Sequence, residues 1–305
     1  MSETSTGTES ARADGLHYLD ELLQTAIDDI DARASRTAQR EILGIPTGFN
    51  ELDEVTGGLE PGTLTVVGAH PGVGASTLAL DFARFASIRQ KVPTMFATLD
   101  SYPKTVIKRA LSAEARIKLW DLRNGYMSDE DWTKLAKRMS EIADAPLSIY
   151  RPKDRDITEI VETVTDEVED AGVKFLIIDS LHLVTARREV PYENREREIS
   201  EITRRLKALA LDLNIAIVAT VQLSNNPGPR QLPARATLAD LRDSGTIAHV
   251  ADNVIVLHRP DAWERDDPRG GEADLLLLKH RQGPACTITV AHQLHMSRFI
   301  DMARS

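Results

Sequence analysis

The residues best equipped for chemistry in this 305-residue chain are a glycine-rich loop and three polar side chains downstream of it. The loop runs Gly68-Ala69-His70-Pro71-Gly72-Val73-Gly74 and continues into Ala75-Ser76-Thr77. Before it lies the apolar run Leu64 to Val67, long enough for a buried strand. After it comes a helical pattern with Leu78, Leu80, Phe82 and Ala83. Strand, glycine turn and helix in that order make a phosphate-binding P-loop. Free amide N–H groups at a helix start suit an anion, and the helix dipole adds to them. Against the pattern G-x-x-x-x-G-K-[ST], the frame reads Ala69-His70-Pro71-Gly72-Val73-Gly74-Ala75-Ser76. The second glycine and the hydroxyl are present. The first glycine is alanine, and the lysine is Ala75.

The three other candidates each follow an apolar run. Asp100 ends Val92 to Leu99, Asp179 ends Phe175 to Ile178, and Gln222 ends Ile215 to Val221. In parallel sheets, ligands collect at the carboxyl ends of strands. Downstream of a P-loop, Asp179 fits a Walker B acid that holds magnesium directly or through water. Asp100 sits where a base orients an attacking water; its alternative is to cap the helix that Ser101 and Pro103 begin. Gln222 either senses a γ-phosphate or merely caps the sheet.

The elements that must position these groups read as alternating strands and helices. Helices are expected at Pro103 to Ile117, at Ser128 to Ile142, over Ile157 to Val168 with a stop at Gly172, and from Ile199 to Leu213. Three more strands are expected at Val254 to Leu257, Leu275 to Leu278 and Thr287 to Val290. Nearly continuous apolar strands between helices imply an α/β fold with a mainly parallel central sheet flanked by helices. Arg259 to Gly271 reads as a surface loop. Residues 1–14 read as a disordered tail. Residues 15–40 read as a linker helix, with Leu16, Leu19, Leu22, Leu23, Ala26, Ile27 and Ile30 on one stripe. That helix either packs on its own domain or docks on a neighbouring subunit. Residues 41–305 form the remaining domain.

Composition excludes several classes. With 42% hydrophobic and 28% charged residues, the chain is ordinary for a soluble globular protein. No apolar run approaches the roughly 20 residues of a membrane helix, so no membrane partner is expected. The single cysteine, Cys286, rules out an intrachain disulfide framework and fits a cytoplasmic location. A net charge of −10 argues against a generally basic nucleic-acid coat, though a local basic channel remains compatible with it.

Several motifs occur together: IPTGFNELDEVTGGLEPG, the P-loop, SAEARI at 112–117, MSDEDW at 127–132, FLIIDSLHLV, EISEITRRLKALA at 198–210, TVQLS, LRDSGTIAHVADNVIVLHR and LKHRQGPACTITVAHQLHMSRF. In this order and spacing the chain resembles the carboxyl-terminal domain of DnaB-family replicative helicases, from about Leu16 to its end. The resemblance implies a RecA-like P-loop NTPase fold and a hexameric ring of identical subunits. It also implies ATP with Mg2+, single-stranded DNA through the centre, and DNA unwinding in replication. It assigns the nucleotide-binding loop to Ala69, His70, Pro71, Gly72, Val73, Gly74, Ala75, Ser76 and Thr77. Ser76 and Asp179 become the metal-holding pair, and Gln222 the γ-phosphate sensor. Lys279 and Arg281 become the pair that reaches a neighbour's ATP site, where a donated cation neutralises transition-state charge. Arg242, Asp243 and Gly245 become the channel loop on the DNA backbone, a contact without sequence preference.

The chain departs from the family's pattern at three points. The separate amino-terminal helical domain has no counterpart in these residues, which leaves primase recruitment without its usual platform. The catalytic glutamate is Asp100, one methylene shorter. The P-loop lysine is Ala75, with Lys104 and Lys108 the nearest candidates to replace it. Three readings follow. The first is a DnaB-like helicase domain with impaired hydrolysis. The second is an ATPase-deficient homologue that binds nucleotide and DNA, and joins, blocks or loads a full-length replicative helicase. The third, a RecA-like ATPase of recombination or clock type, is disfavoured by LRDSG and KHRQGP.

Overall fold

The computed structural model describes residues 18–38, 42–187, 192–223, 236–241, 245–264 and 266–302. It divides into two compact units between Leu43 and Gly44. The first contains α1 (Leu19–Ala38), whose first turn carries Asp20 and Glu21, charges that suit a helix N-terminus. Leu19, Leu22, Leu23, Ile27 and Ile30 are exposed on it. Leu16 and the tail 1–14 lie outside the described residues.

The second unit opens with α2 (Asn50–Thr56), which Gly57 ends in the left-handed conformation. Then come β1 (Leu64–Ala69) and α3 (Ala75–Arg84), which runs on into one π-helical turn, Phe85–Arg89. Next are β2 (Thr94–Thr98), α4 (Pro103–Ala115), α5 (Leu119–Asn124), α6 (Asp129–Ala143) and β3 (Leu147–Tyr150). The chain continues with α7 (Ile157–Ala171), β4 (Phe175–Asp179), α8 (Arg195–Asp212), β5 (Ala216–Gln222) and α9 (Gly245–Val250). It closes with β6 (Asn253–His258), β7 (Glu272–His280), β8 (Cys286–Gln293) and β9 (Arg298–Asp301). Among the described residues, no helix is long and apolar enough to cross a membrane.

Local chemistry explains the helix ends. Pro103 occupies the first turn of α4, where its missing N–H costs nothing. Ser128 and Asp131 form a reciprocal capping box on α6. Asp156 caps α7, and Gly172 stops it in the left-handed region. The strands form a nine-stranded sheet in the order β3-β2-β4-β5-β1-β6-β7-β8-β9. The pairs from β3 to β6 are parallel; those from β6 to β9 are antiparallel. Leu64 and Val66 of β1 pack with Ile160, Ile202 and Leu206 on one face. Val67 and Ala69 pack with Leu78, Phe82 and Phe96 on the other. The expected strands and helices all form. Two strands and two helices escaped the sequence reading. β3 and β9 are only four residues long, α9 only six, and α5 has no fully buried residue, so none offers much periodicity. The expected surface loop after β6 is corrected in part. Arg259 and the Trp263 indole are tucked in, and His292 holds Asp261 at 2.8 Å.

The turn into α2 carries a buried carboxylate. Asp53 accepts hydrogen bonds from Thr47 N, Thr47 Oγ1 and Gly48 N. Burial outweighs these bonds and pushes its pKa up to about 6. A carboxyl that holds its proton more tightly when folded favours the fold below its unfolded pKa, near 4. That contribution disappears as pH rises through 6. Unfolding measured by denaturant between pH 4 and 7 should therefore show a decline of up to about 3 kcal/mol from this group. Asp53→Asn should flatten that part of the curve; an unchanged slope would remove Asp53 as its source.

Candidate nucleotide site

The carboxyl ends of β1, β5, β4 and β2 lie side by side, because these four strands are neighbours in the sheet. Register sets Ala69 opposite Gln222 and Thr98 opposite Asp179. Around them is a cleft of about 400 Å³. Its walls include Ala69, His70, Pro71, Gly72, Gly74, Ala75, Ser76, Thr77, Asp100, Asp179 and Gln222. Every strand-end group nominated from the sequence is thus in one place. So is the whole loop except Val73, whose side chain is buried in the core and whose N–H goes to the His70 carbonyl.

Glycine is required at two loop positions. Gly72 and Gly74 have φ of 80 and 124. A Cβ on Gly74 would lie 2.9 Å from the Phe299 ring of β9. Ala75 is the first residue of α3, so the following amides open toward the cleft. The loop after β6 buttresses this turn. The Trp263 ring meets His70 edge-on at 5.2 Å, and Arg259 donates to the Val73 carbonyl. Burial holds His70 below its ordinary pKa, so it brings no charge to the cleft at neutral pH.

Asp179 is 3% exposed, and Oδ1 accepts from Ser76 Oγ at 2.8 Å and Thr220 Oγ1 at 2.7 Å. Burial raises its pKa. The two hydroxyls and Arg109 pull it back, and the charge of Asp100 pushes it further up. A carboxylate and a hydroxyl in contact, both hard oxygens, are the kind of donor set that suits Mg2+, which keeps several waters and takes few protein ligands. Among the described residues there is no cluster of three or more His, Cys, Asp or Glu that would favour a softer or fully caged metal. Asp100 is exposed at the cleft edge and does not cap α4; Tyr102 holds that position, without a side-chain cap.

Sequence reasoning missed Arg109. It is the only Lys or Arg among the described residues that line the cleft. Lys104 and Lys108, considered as replacements for the absent P-loop lysine, are exposed and line nothing here. The signal was helical spacing. Val106, Ala110 and Ala113 are the buried face of α4, and Arg109 shares that face at i+3 from Val106.

The remaining nominated residues lie elsewhere. Lys279 Nζ donates to the carbonyls of Ala248, His249 and Ala251, closing the end of α9. Arg281 pairs with Asp252 at 2.9 Å while its side chain stays 62% exposed. Gly245 begins α9, and Arg242 and Asp243 lie outside the described residues.

The mostly parallel sheet with a P-loop at its carboxyl edge defines a RecA-like P-loop NTPase domain. The chain belongs to the family described as "DnaB-like helicase C terminal domain", whose model matches residues 44–301. It is 45% identical over 93% of its length to the replicative DNA helicase DnaB of Leifsonia xyli subsp. xyli, and spans 61% of that protein. It is 48% identical over 75% of its length to DnaB of Mycobacterium intracellulare, and spans 39% of it. The chain therefore spans less than two thirds of each of these relatives. Among solved structures it is similar to a free-standing ATPase domain, with TM-score 0.85 and 27% identity over 95% of this chain and all of that one. A DnaB-like replicative helicase studied with primase gives TM-score 0.82 and 27% identity, over 95% of this chain and 68% of that one. A KaiC-like protein of Pyrococcus horikoshii, 18% identical at TM-score 0.57, shares the fold alone.

Proposed function

We propose that this chain is a DnaB-type motor domain that binds ATP with Mg2+ in the cleft and single-stranded DNA within a ring, with slowed hydrolysis. The observation that carries the reading is the contact of Ser76 with Asp179 beneath the loop, with Arg109 the cleft's one cation among the described residues. The amides after Gly74 cradle phosphate, because N–H groups do not depend on the missing lysine side chain. Ser76 and Asp179 would hold Mg2+, which when bound would supply neutralisation of phosphate charge. Arg109 faces the anion from α4. Asp100 orients water from a position set back by one methylene, and a displacement of about 1 Å costs roughly 100-fold in rate. Gln222, exposed at the end of β5, senses the terminal phosphate in this reading.

Ring assembly is supported by α1, whose apolar stripe is exposed, and by Arg281, whose side chain is largely exposed despite its pair with Asp252. The channel loop of Arg242, Asp243 and Gly245 would hold DNA by phosphate contacts, summed over subunits. The second reading, a non-hydrolysing homologue that joins a full-length replicative helicase, is favoured by one specific pairing: Ala75 and Asp100 depart from the motor pattern in the same cleft.

The test is sedimentation together with ATP turnover. The chain should sediment as an oligomer with nucleotide and magnesium, bind single-stranded DNA irrespective of sequence, and release it as salt rises. Leu23→Asp, on the exposed stripe, should weaken assembly by about tenfold or more, the cost of losing one buried leucine. A strict monomer under all conditions, or a marked preference for one DNA sequence, would reject the motor reading. Oligomers that bind ATP and never turn it over would select the second reading.

A further inference from the structure

A second concavity, of about 480 Å³, opens at the far ends of the helices that build the cleft. That volume is in the range of small-ligand sites. It shares no lining residue with the cleft. Yet α3 runs from Ala75 in the cleft to Arg84 here, and α4 runs from Arg109 to Glu114. Likewise Ser297 lines the cleft while Arg298 lines this pocket. The Thr47–Phe49 wall can approach closely because residue 48 is glycine: a Cβ there would sit 2.7 Å from the Phe85 ring.

The lining is unbalanced in charge, with seven Lys or Arg side chains against three carboxylates. The carboxylates are already engaged. Glu114 serves Arg84, Arg89 and Arg138, Asp81 serves Arg84, and Asp301 accepts from Asn50. Lys134 pairs outside the pocket, with Glu130. Arg116, Lys137 and Arg298 have no ion pair among the described residues. Arg84 is about nine-tenths buried, and its Nε has no hydrogen-bond partner. Burial, then the charges of Arg116 and Arg84, hold Arg298 below its ordinary pKa, and Asp81 and Glu114 offset only part of this. Guanidinium groups match phosphate oxygens in geometry and charge.

We propose that this pocket binds a small oligophosphate anion, free or as part of a nucleotide, at a site separate from the P-loop cleft. The concave shape and the buried Arg84 favour a compact multivalent ligand over a nucleic-acid strand, whose phosphates need an open track. The proposal is independent of what the cleft does with ATP. Because α3 and α4 contribute to both sites, occupancy of one bears on the order of the other.

The probe is sodium tripolyphosphate, titrated calorimetrically into the full chain. Two variants separate the sites. Arg109→Gln removes the cleft's cation. Arg116→Gly with Lys137→Glu strips the pocket, and glycine suits the left-handed φ of 55 at position 116. The pocket variant should bind tripolyphosphate about tenfold more weakly or worse, while Arg109→Gln retains the event. Counting only the binding that the Arg116→Gly and Lys137→Glu changes remove from the Arg109→Gln chain, tighter binding of a nucleoside triphosphate than of tripolyphosphate would assign the ligand as a nucleotide; equal binding would assign free oligophosphate. Unaltered binding by the pocket variant, or complete loss in Arg109→Gln, overturns the proposal. So does an oligodeoxynucleotide that binds at Arg116 and Lys137 where tripolyphosphate does not. Should the double variant melt early, Arg298→Gln gives the same test, since a shorter neutral side chain leaves the strand in place.

Discussion

Ala75→Lys raises DNA-stimulated ATP turnover by about 10²–10³-fold, the usual worth of one preorganised donor at developing charge. The added ammonium starts from the first residue of α3, next to the Ser76 hydroxyl and across from Asp179. It joins a cleft whose described lining holds one other cation, Arg109. Nucleotide affinity should gain less, about 1.5–3 kcal/mol or roughly 10- to 150-fold, because the backbone cradle already binds the phosphates in the ground state. The greater effect belongs to the transition state, where charge on the γ-phosphate grows. Asp100→Glu added to this change should raise turnover again by restoring the missing methylene. Steady-state phosphate release gives kcat, and a fluorescent nucleotide gives Kd. A parent chain that already matches the lysine variant would show that the slowed-hydrolysis reading is wrong.

The second large effect is expected at Arg109. In the native chain Arg109→Gln should weaken ATP by about 1.5–3 kcal/mol, since the anion then loses the fixed cation of the described cleft. The loss should shrink in the Ala75→Lys background, where a second cation shares the charge. The two changes thus form a cycle whose coupling energy reports whether lysine and arginine do the same job. Strict additivity would mean that they act on different parts of the nucleotide. Measuring the cycle with and without Mg2+ separates phosphate attraction from metal placement.

The site was legible wherever chemistry coincided with local pattern. The loop, Asp179 and Gln222 each follow a buried apolar run, and strand ends in a parallel sheet bring such residues together whatever their distance along the chain. Arg109 was hidden because its neighbour Lys108 looks equivalent in sequence; only the face shared with Val106 and Ala110 separates them. Asp100 was legible as a strand-end acid, and its alternative as a helix cap fell once Tyr102 held that position. The packed loop of Arg259 and Trp263 was misread because its Arg, Asp and Pro content imitates a solvated segment. Its burial comes from tertiary contacts with Val73 and His70 that composition does not encode. The antiparallel arm was legible as strands but not in its final piece, β9, because four residues carry too little alternation.

The position of β1 has a consequence for how the chain is made. It leaves the ribosome long before its two sheet neighbours, β5 and β6, which follow only after β2, β3 and β4. Synthesis at about 5–20 residues per second leaves both edges of that strand unpaired for many seconds. The first pairing open to any emerging strand is β2 with β3, at one margin of the sheet, and β1 gains its second neighbour only once β6 has emerged. Such long-range closure makes folding slow. An apolar strand with two bare edges is during that interval a target for aggregation and for chaperones, so the nucleotide loop it carries cannot take shape until β5 and β6 have also been translated.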